Sequence, residues 1–308
     1  MASEQHERKC PLCNTILAQG NLCEYIECSN CGSYVYVSDK TAEDDNRFFY
    51  NSVYSCGGQP RYSTIKRKIF NLYEKKDEKN NRKEYSKLGH IRAEIELIFK
   101  KGEKSMEVGF GEGRHLLKLL ESGHDAYGID ISDKVVSTFS QEYPQYKNRV
   151  RVGTRFDEKV HIVYCSALLE HLDDPQEFID NLSTSLITGG FLIINAIPVV
   201  SELKSNIGIS EDISFWKPCH RIIPSHKGIE QMFSGKGYVL VNYASIDVFN
   251  YKLLSLHIKN GYEDIVQVRH SCIKNSKLPS IHRYFNLCRE ALNVQSRALV
   301  GVYIFRKQ

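Results

Sequence analysis

Glu107, Gly109, Gly111, Gly113 and Asp130 fall within one stretch, SMEVGFGEGRHLLKLLESGHDAYGIDIS, that reads as strand, glycine turn, helix and second strand. Ser105 to Val108 is a short apolar run carrying one carboxylate, Glu107. Leu116, Leu117, Leu119 and Leu120 mark the apolar face of the helix, and Gly123 suits its end. Glycines let the backbone approach a ligand closely, and the helix N-terminus behind them offers unpaired N–H groups. Asp130 closes the second strand, where a carboxylate can accept from both hydroxyls of a ribose. A dinucleotide fingerprint would read G-x-G-x-x-G. Here position 112 is Glu, the third glycine arrives at Gly113, and Arg114 stands where that fingerprint has glycine. Glu107 and Glu112 also place negative charge near the turn, which suits an ammonium group better than a pyrophosphate. The plainer alternative is a glycine turn in some other α/β protein. The register of acid, turn, helix and second acid argues against it.

This block resembles motif I, (D/E)-x-G-x-G-x-G, and the following acidic strand end of class I S-adenosylmethionine-dependent methyltransferases. The resemblance implies S-adenosylmethionine as cofactor, held by Glu107, Gly109, Phe110, Gly111, Gly113, Asp130 and Ile131.

A second constellation lies near the N-terminus. Cys10 and Cys13 form C-P-L-C, and Cys28 and Cys31 form C-S-N-C-G. Two C-x-x-C knuckles at this separation can place four thiolates around one tetrahedral ion, about 2.3 Å from each sulfur for zinc. Asn14 and Gly32 follow the two pairs and tolerate the left-handed turn that points backbone N–H groups at sulfur. Cys23 has no partner at knuckle spacing, and Val35-Tyr36-Val37 reads as a strand. A unit of this size lacks a core of its own, so a structural zinc would supply its folding energy. Four unrelated core thiols, or a redox pair, fit the matched spacing less well.

The third group lies downstream. Residues 160–175 read VHIVYCSALLEHLDDP: an apolar strand, then Glu170-His171, then Asp174-Pro175 opening a helix. This is similar to the strand-four motif of small-molecule methyltransferases, although Val160-His161 replaces the usual F-D. Further on, Trp216, Lys217, Pro218, Cys219, His220 and Arg221 precede a helix and Gly237-Tyr238. The same families show such a W-x-x-x-H loop, and the resemblance places it at the carboxyl edge of the sheet beside the transferred methyl group. An unperturbed histidine titrates near neutrality, so a residue such as His220 can take a proton from a hydroxyl. His220, His171 and Glu170 are therefore the candidate catalytic residues. Each also has a plain structural reading, as a loop-holding histidine or a strand-end pair. The base stays open among His171, His220, a tyrosine and none, because aligning the reactants alone supplies much of a methyl transfer's rate.

These residues must be positioned by an alternating pattern. Strands are predicted at 104–108, 126–130, 149–153, 160–165, 190–196, 238–243 and 298–306, with helices at 113–122, 132–142, 175–186 and 226–234. Seven strands with helical crossovers imply an α/β fold, a doubly wound, mostly parallel seven-stranded sheet, preceded by a small zinc ribbon. The expected organisation is a ribbon at 1–40, a helical and aromatic connecting and lid segment at 41–102, and a methyltransferase domain at 103–308 with an insertion at about 244–297. Within the connecting segment, Ile65, Ile69, Leu72 and Tyr73, then Leu88, Ile91, Ile95 and Ile98, give two helical patterns around the charged stretch KKDEKNNRKE.

The 308 residues are 42% hydrophobic and 25% charged with a formal charge of +4, an ordinary globular balance that neither demands nor excludes nucleic acid. No run of 18 apolar residues or signal peptide is seen, so a cytoplasmic protein with thiol or metal-bound cysteines is expected. The ribbon, the tyrosine-rich segment Phe49-Tyr50…Tyr54 and the core together resemble bacterial enzymes acting on glycans and small molecules. That implies O-methylation of a sugar, glycan or other small-molecule hydroxyl. A zinc-ribbon RNA base methyltransferase is the first alternative, with the tract from Lys252 to Tyr284 as a phosphate surface. Cys165-Ser166-Ala167-Leu168, where RNA enzymes often carry N/D-P-P-(Y/F), makes nucleic acid the less favoured partner. A non-catalytic methyltransferase-like binding protein is the second alternative. Oligomeric state is not legible.

Overall fold

A computed structural model describes residues 8–19, 24–38, 41, 44, 82–155, 157–200, 219–249 and 297–308. Cys23, Phe49, Tyr50, Tyr54, the pattern at 65–73, Trp216 to Pro218 and the basic tract lie outside the described residues. The elements are β1 (Glu24–Glu27), β2 (Tyr34–Val37), α1 (Arg82–Ile98), β3 (Lys104–Val108), α2 (Arg114–Glu121), β4 (Asp125–Asp130), α3 (Asp133–Glu142), β5 (Val150–Val152), β6 (Val160–Ser166), α4 (Pro175–Ser185), β7 (Leu186–Pro198), β8 (Ile222–Ile223), α5 (His226–Phe233), β9 (Tyr238–Phe249) and β10 (Arg297–Lys307).

Seven strands form one sheet in the order β5-β4-β3-β6-β7-β10-β9. The first five run parallel, and β10 is antiparallel to both of its neighbours. Strand alternation sends side chains to opposite faces. Val163, Cys165, Leu192, Ile194, Tyr303 and Phe305 pack on one side with Ile179 and Leu182 of α4 and Ile229 and Met232 of α5. Ile162, Tyr164, Ile193, Val302 and Ile304 pack on the other with Ile91, Ile95 and Ile98 of α1, Leu116 of α2 and Phe139 of α3. Capping agrees with the sequence: Ser132, Asp174 and Ser225 accept from N–H groups in the first turns of α3, α4 and α5. Among the described residues, no helix is long and apolar enough to cross a membrane.

Each predicted strand and helix of the sheet is present, with shifted edges. The α1 helix starts at Arg82, inside the charged stretch read as a connection. Arg, Lys and Glu are good helix formers, and the docking of Ile91 and Ile95 favours continuing the helix toward its N-terminus. The β9 strand runs on to Phe249 and β10 starts at Arg297. Paired strand therefore occupies the first residues of the expected insertion, because each added residue gains ladder bonds with the facing strand.

Two short strands, β1 and β8, carry no alternating pattern long enough to read. Together with β2 they make a second, three-stranded sheet in the order β1-β2-β8. The β8 strand follows His220 in the chain, so the cysteine unit borrows its third strand from the segment beyond the sheet's carboxyl edge. Cys10, Leu12, Leu17, Cys28 and Cys31 join the same buried cluster as α4 and α5. Gly228 is required at this contact. A β-carbon there would lie 2.3 Å from Ser33 Oγ and 3.0 Å from Leu12 Cδ1.

Candidate active site and metal centre

The glycine turn follows β3, a central strand. Gly109, Gly111 and Gly113 have φ of 67°, 53° and 68°, the left-handed region that side chains rarely adopt. A β-carbon at Gly113 would also meet the Phe139 ring at 2.5 Å. Asp130, buried at the end of β4, accepts from Gly111 N–H at 3.1 Å and Ser132 N–H at 2.9 Å. Burial pushes its carboxyl up, and the N–H donors of Ser132 and Gly111 oppose that shift. The turn and the acidic strand end are thus one bonded unit. Ile131, beside it, is 55% exposed and presents an apolar side chain at the strand end.

Glu107 and Phe110, both predicted to hold the cofactor, have partners within the protein. Glu107 is buried, and its Oε2 lies 2.9 Å from His115 Nδ1. Burial raises its pKa and His115 opposes the rise. The carboxylate meant for an ammonium group is therefore already partnered. Phe110 is buried edge-on to Phe139, so its side chain belongs to the core and only its backbone faces the turn. His115, which sequence reasoning missed, stacks on Tyr164 at 4.1 Å. Asn195 Nδ2 donates to Tyr164 Oη at 2.8 Å and to Ser166 Oγ at 3.1 Å. Ala167 and Ala196, at the carboxyl ends of β6 and β7, have φ of 49° and 56°. Strain of this kind gathers at functional edges. A tyrosine in a buried strand was the available signal, since its hydroxyl needs a partner. Nothing in one dimension pairs it with Asn195.

The loop after β6 lies against the glycine turn: Leu168 Cδ1 is 3.0 Å from where a Gly109 β-carbon would stand. A single helical turn, Leu169–His171, follows. It brings Glu170 and His171 to His220, and one ligand atom from each lies within 4.8 Å of the others. The His171 and His220 rings meet edge-on at 4.9 Å. His171 Nδ1 donates to the Cys219 carbonyl at 2.8 Å, which fixes Nε2 as the acceptor nitrogen of the neutral ring. All three predicted catalytic residues therefore come together. Glu170 is fully buried, and its Oε2 has no hydrogen-bond partner. Burial pushes its carboxyl up from an ordinary 4.5 to about 8.

A raised acid binds its proton in the folded state first, so stability falls as pH climbs from about 4.5 to about 8. Glu170→Gln removes that penalty. Its melting temperature is expected to match wild type near pH 5 and to exceed it increasingly toward pH 9, by thermal melts across that range. His171, His220 and Cys165 also face this carboxyl, so the comparison uses the difference between the two proteins. A wild-type advantage at pH 9 would show that the carboxylate is needed in its charged form.

The four predicted metal residues also converge. Cys10 and Cys31 sulfurs are 3.7 Å apart and Cys13 and Cys28 sulfurs 3.5 Å, with all four within 4.8 Å of one another. Sulfurs about 2.3 Å from one tetrahedral ion stand about 3.8 Å apart. Asn14 and Gly32 take the left-handed turns predicted for them, at φ of 60° and 72°. The donor set and its spacing fit a tetrahedral metal ion.

A seven-stranded sheet in this order, with a glycine turn after a central strand and a buried acid ending the next, is the fold of class I S-adenosylmethionine-dependent methyltransferases. Residues 106–194 match the family described as "Methyltransferase domain". A curated relative is the ubiquinone biosynthesis O-methyltransferase of Coxiella burnetii, 27% identical over 118 residues, covering 36% of this chain and 49% of that protein. The chain spans about half the length of the curated relatives it matches. Among solved structures, YjhP from E. coli is similar with a TM-score of 0.46 and 17% identity, covering 85% of this chain and all of that one. The cyclopropane synthase MmaA2 from Mycobacterium tuberculosis gives a TM-score of 0.47 and 15% identity, covering 70% and 83%.

If the Asp130 carboxylate holds the ribose hydroxyls, Asp130→Ala should weaken S-adenosylmethionine binding by roughly 1.5–3 kcal/mol, the cost of a lost charge-assisted hydrogen bond. Calorimetry measures this directly, and wild-type affinity in the variant would place the ribose elsewhere.

Proposed function

We propose that the chain transfers a methyl group from S-adenosylmethionine to a hydroxyl of a small-molecule acceptor, with sugars and glycans as the first class to test, and that Cys10, Cys13, Cys28 and Cys31 hold a structural zinc. The observation that carries the reading is the Glu170–His171–His220 cluster, which Glu170 and His171 join from the loop whose Leu168 packs on the glycine turn. The curated relative's name, an O-methyltransferase, supports oxygen as the acceptor atom. The proposed arrangement is a ribbon over residues 1–40, a connecting and lid segment over 41–102, and the catalytic domain over 103–308.

The sulfonium of the bound cofactor supplies an electrophilic methyl carbon, to which an acceptor oxygen gives a lone pair as the carbon–sulfur bond breaks. The chain's own residues do the rest. Gly109, Gly111 and Gly113 leave room for the ligand against the backbone, and Asp130 with Ile131 receives the ribose and the base. His220 takes the proton that leaves the acceptor hydroxyl. His171, its tautomer fixed by the Cys219 carbonyl, orients it from the edge. Glu170, protonated up to about pH 8, adds no negative charge beside the pair below that pH.

Labelled S-adenosylmethionine offered separately with sugar and nucleotide-sugar, phenol and RNA pools, read by mass, tests this. Label on a sugar or phenol oxygen is the expected result. Label on an RNA base, or on no pool despite cofactor binding, would overturn it.

A further inference from the structure

The three carbonyls of Cys219, His220 and Arg221 are all tied, and the ties come from two different parts of the protein. The Cys219 carbonyl accepts from His171 Nδ1 at 2.8 Å. The His220 carbonyl accepts from the Tyr25 hydroxyl at 2.7 Å. The Arg221 carbonyl accepts from the Tyr36 N–H at 2.7 Å, while the Arg221 N–H donates to the Glu170 carbonyl at 2.6 Å. The Arg221 side chain reinforces both sides, bonding Asp173 at 2.7 Å and lying over the Tyr36 ring at 5.5 Å. Tyr25 and Tyr36 pair in register on β1 and β2, with rings 5.3 Å apart. The segment bearing His220 is thus held between the β6 loop and the cysteine unit.

The cysteine unit cannot hold that geometry by itself. Its two strands have four residues each, and an isolated hairpin of that size is marginal in water. The chain between them passes through Cys28 and Cys31, so a metal bound there sets the distance and twist of the strands. Simple docking is already provided elsewhere: Gln176 reaches the Pro11 carbonyl, Lys227 the Asn30 carbonyl, and Leu12 packs over Gly228. A phenol donating to the backbone carbonyl of His220 adds something docking does not need.

We propose that the ribbon is a clamp that positions His220, with Tyr25 as its positioning residue, and that a filled four-thiolate site keeps the His220 ring against His171. This rests on the reading of His220 as the acceptor-side residue. Metal loss would then act on the acceptor side of the site and spare the cofactor side.

The experiment compares wild type, Tyr25→Phe, wild type stripped of metal by chelation, and the stripped protein refilled with zinc. Three quantities are read: the imidazole ¹H–¹⁵N signals of His220, assigned by their loss in His220→Ala; hydrogen exchange at residues 221–223 and 104–132; and calorimetric affinity for S-adenosylhomocysteine. In the stripped protein and in Tyr25→Phe, the His220 signals are expected to broaden or double. Exchange at 221–223 should rise about tenfold, as loss of a tying hydrogen bond allows. In Tyr25→Phe, exchange at 104–132 should hold within about threefold; S-adenosylhomocysteine affinity should hold within about threefold in both altered proteins, and zinc should restore the stripped protein. Unchanged, sharp His220 signals in both altered proteins would overturn the clamp. So would exchange in Tyr25→Phe rising equally at 104–132, which would mean that the tie only supports the fold. A wild-type turnover in His220→Ala would instead sink the acceptor reading and leave these measurements intact, so the two failures are separable.

Discussion

Replacing His220 by alanine is expected to cut turnover at least tenfold, and toward the 10²–10⁴-fold that general-base assistance typically contributes, while cofactor affinity stays within about threefold. The direction follows from geometry. His220 meets His171 edge-on, while Asp130, the residue proposed for the ribose, is bonded to Gly111 and Ser132. Steady-state kinetics on the acceptor found by mass, with calorimetry of S-adenosylmethionine, measures both quantities. His220→Gln is the useful companion, because it keeps a polar side chain while removing the titrating ring. Equal losses in both variants point to the proton, whereas near-normal turnover in the glutamine variant points to a hydrogen bond that only orients the acceptor. Surviving turnover with a lower melting temperature in His220→Ala would mean that the residue holds its loop and no more. A collapse of cofactor affinity would move it to the other side of the site.

Removing the metal is expected to have the largest effect on stability. Purified without chelator, the protein should carry close to one zinc per chain, and Cys28→Ser should carry less than half an equivalent. In isolated zinc fingers the ion contributes about 10–16 kcal/mol, which is folding free energy because no preformed site exists without it. The ribbon here is not isolated. Leu12 and Leu17 are buried in a cluster shared with α4 and α5. Re-exposing those two side chains costs about 3–6 kcal/mol, so the main transition should drop by about 10 °C. Metal analysis with scanning calorimetry checks both claims. Full zinc in Cys28→Ser would remove Cys28 from the ligand set, and an unchanged transition would mean that the ribbon and core do not share stability. Cys23→Ser is expected to keep full zinc.

Much of this protein is written along the chain, and the reason is local. Period-two and period-3.6 patterns, Asp174-Pro175, and glycines at turns each act over a few residues, so every strand and helix of the large sheet was legible, although β9 runs six residues beyond its expected end. The cysteine knuckles were legible because two pairs at matched spacing already fix a four-point constellation, and Asn14 and Gly32 sit where the turn needs positive φ. The short pieces were not. The β1 and β8 strands are four and two residues long, too short to show a pattern, and β8 owes its strand character to β2, nearly 190 residues away. Glu107 shows the same limit in a side chain. Its position promised a ligand contact, but only the packing of α2 against β3 brings His115 to it, and that partner changes what the carboxylate can do. By itself, the sequence determined which elements of the large sheet form, which residues could bind a cofactor or a metal, and the class of chemistry they suit. Tertiary structure alone decided that Glu170, His171 and His220 meet, that Glu170 is sealed from water and keeps its proton to about pH 8, and that the ribbon is bonded to the His220 segment. Those outcomes depend on desolvation and on contacts between distant segments, and neither is a property of any short stretch of chain.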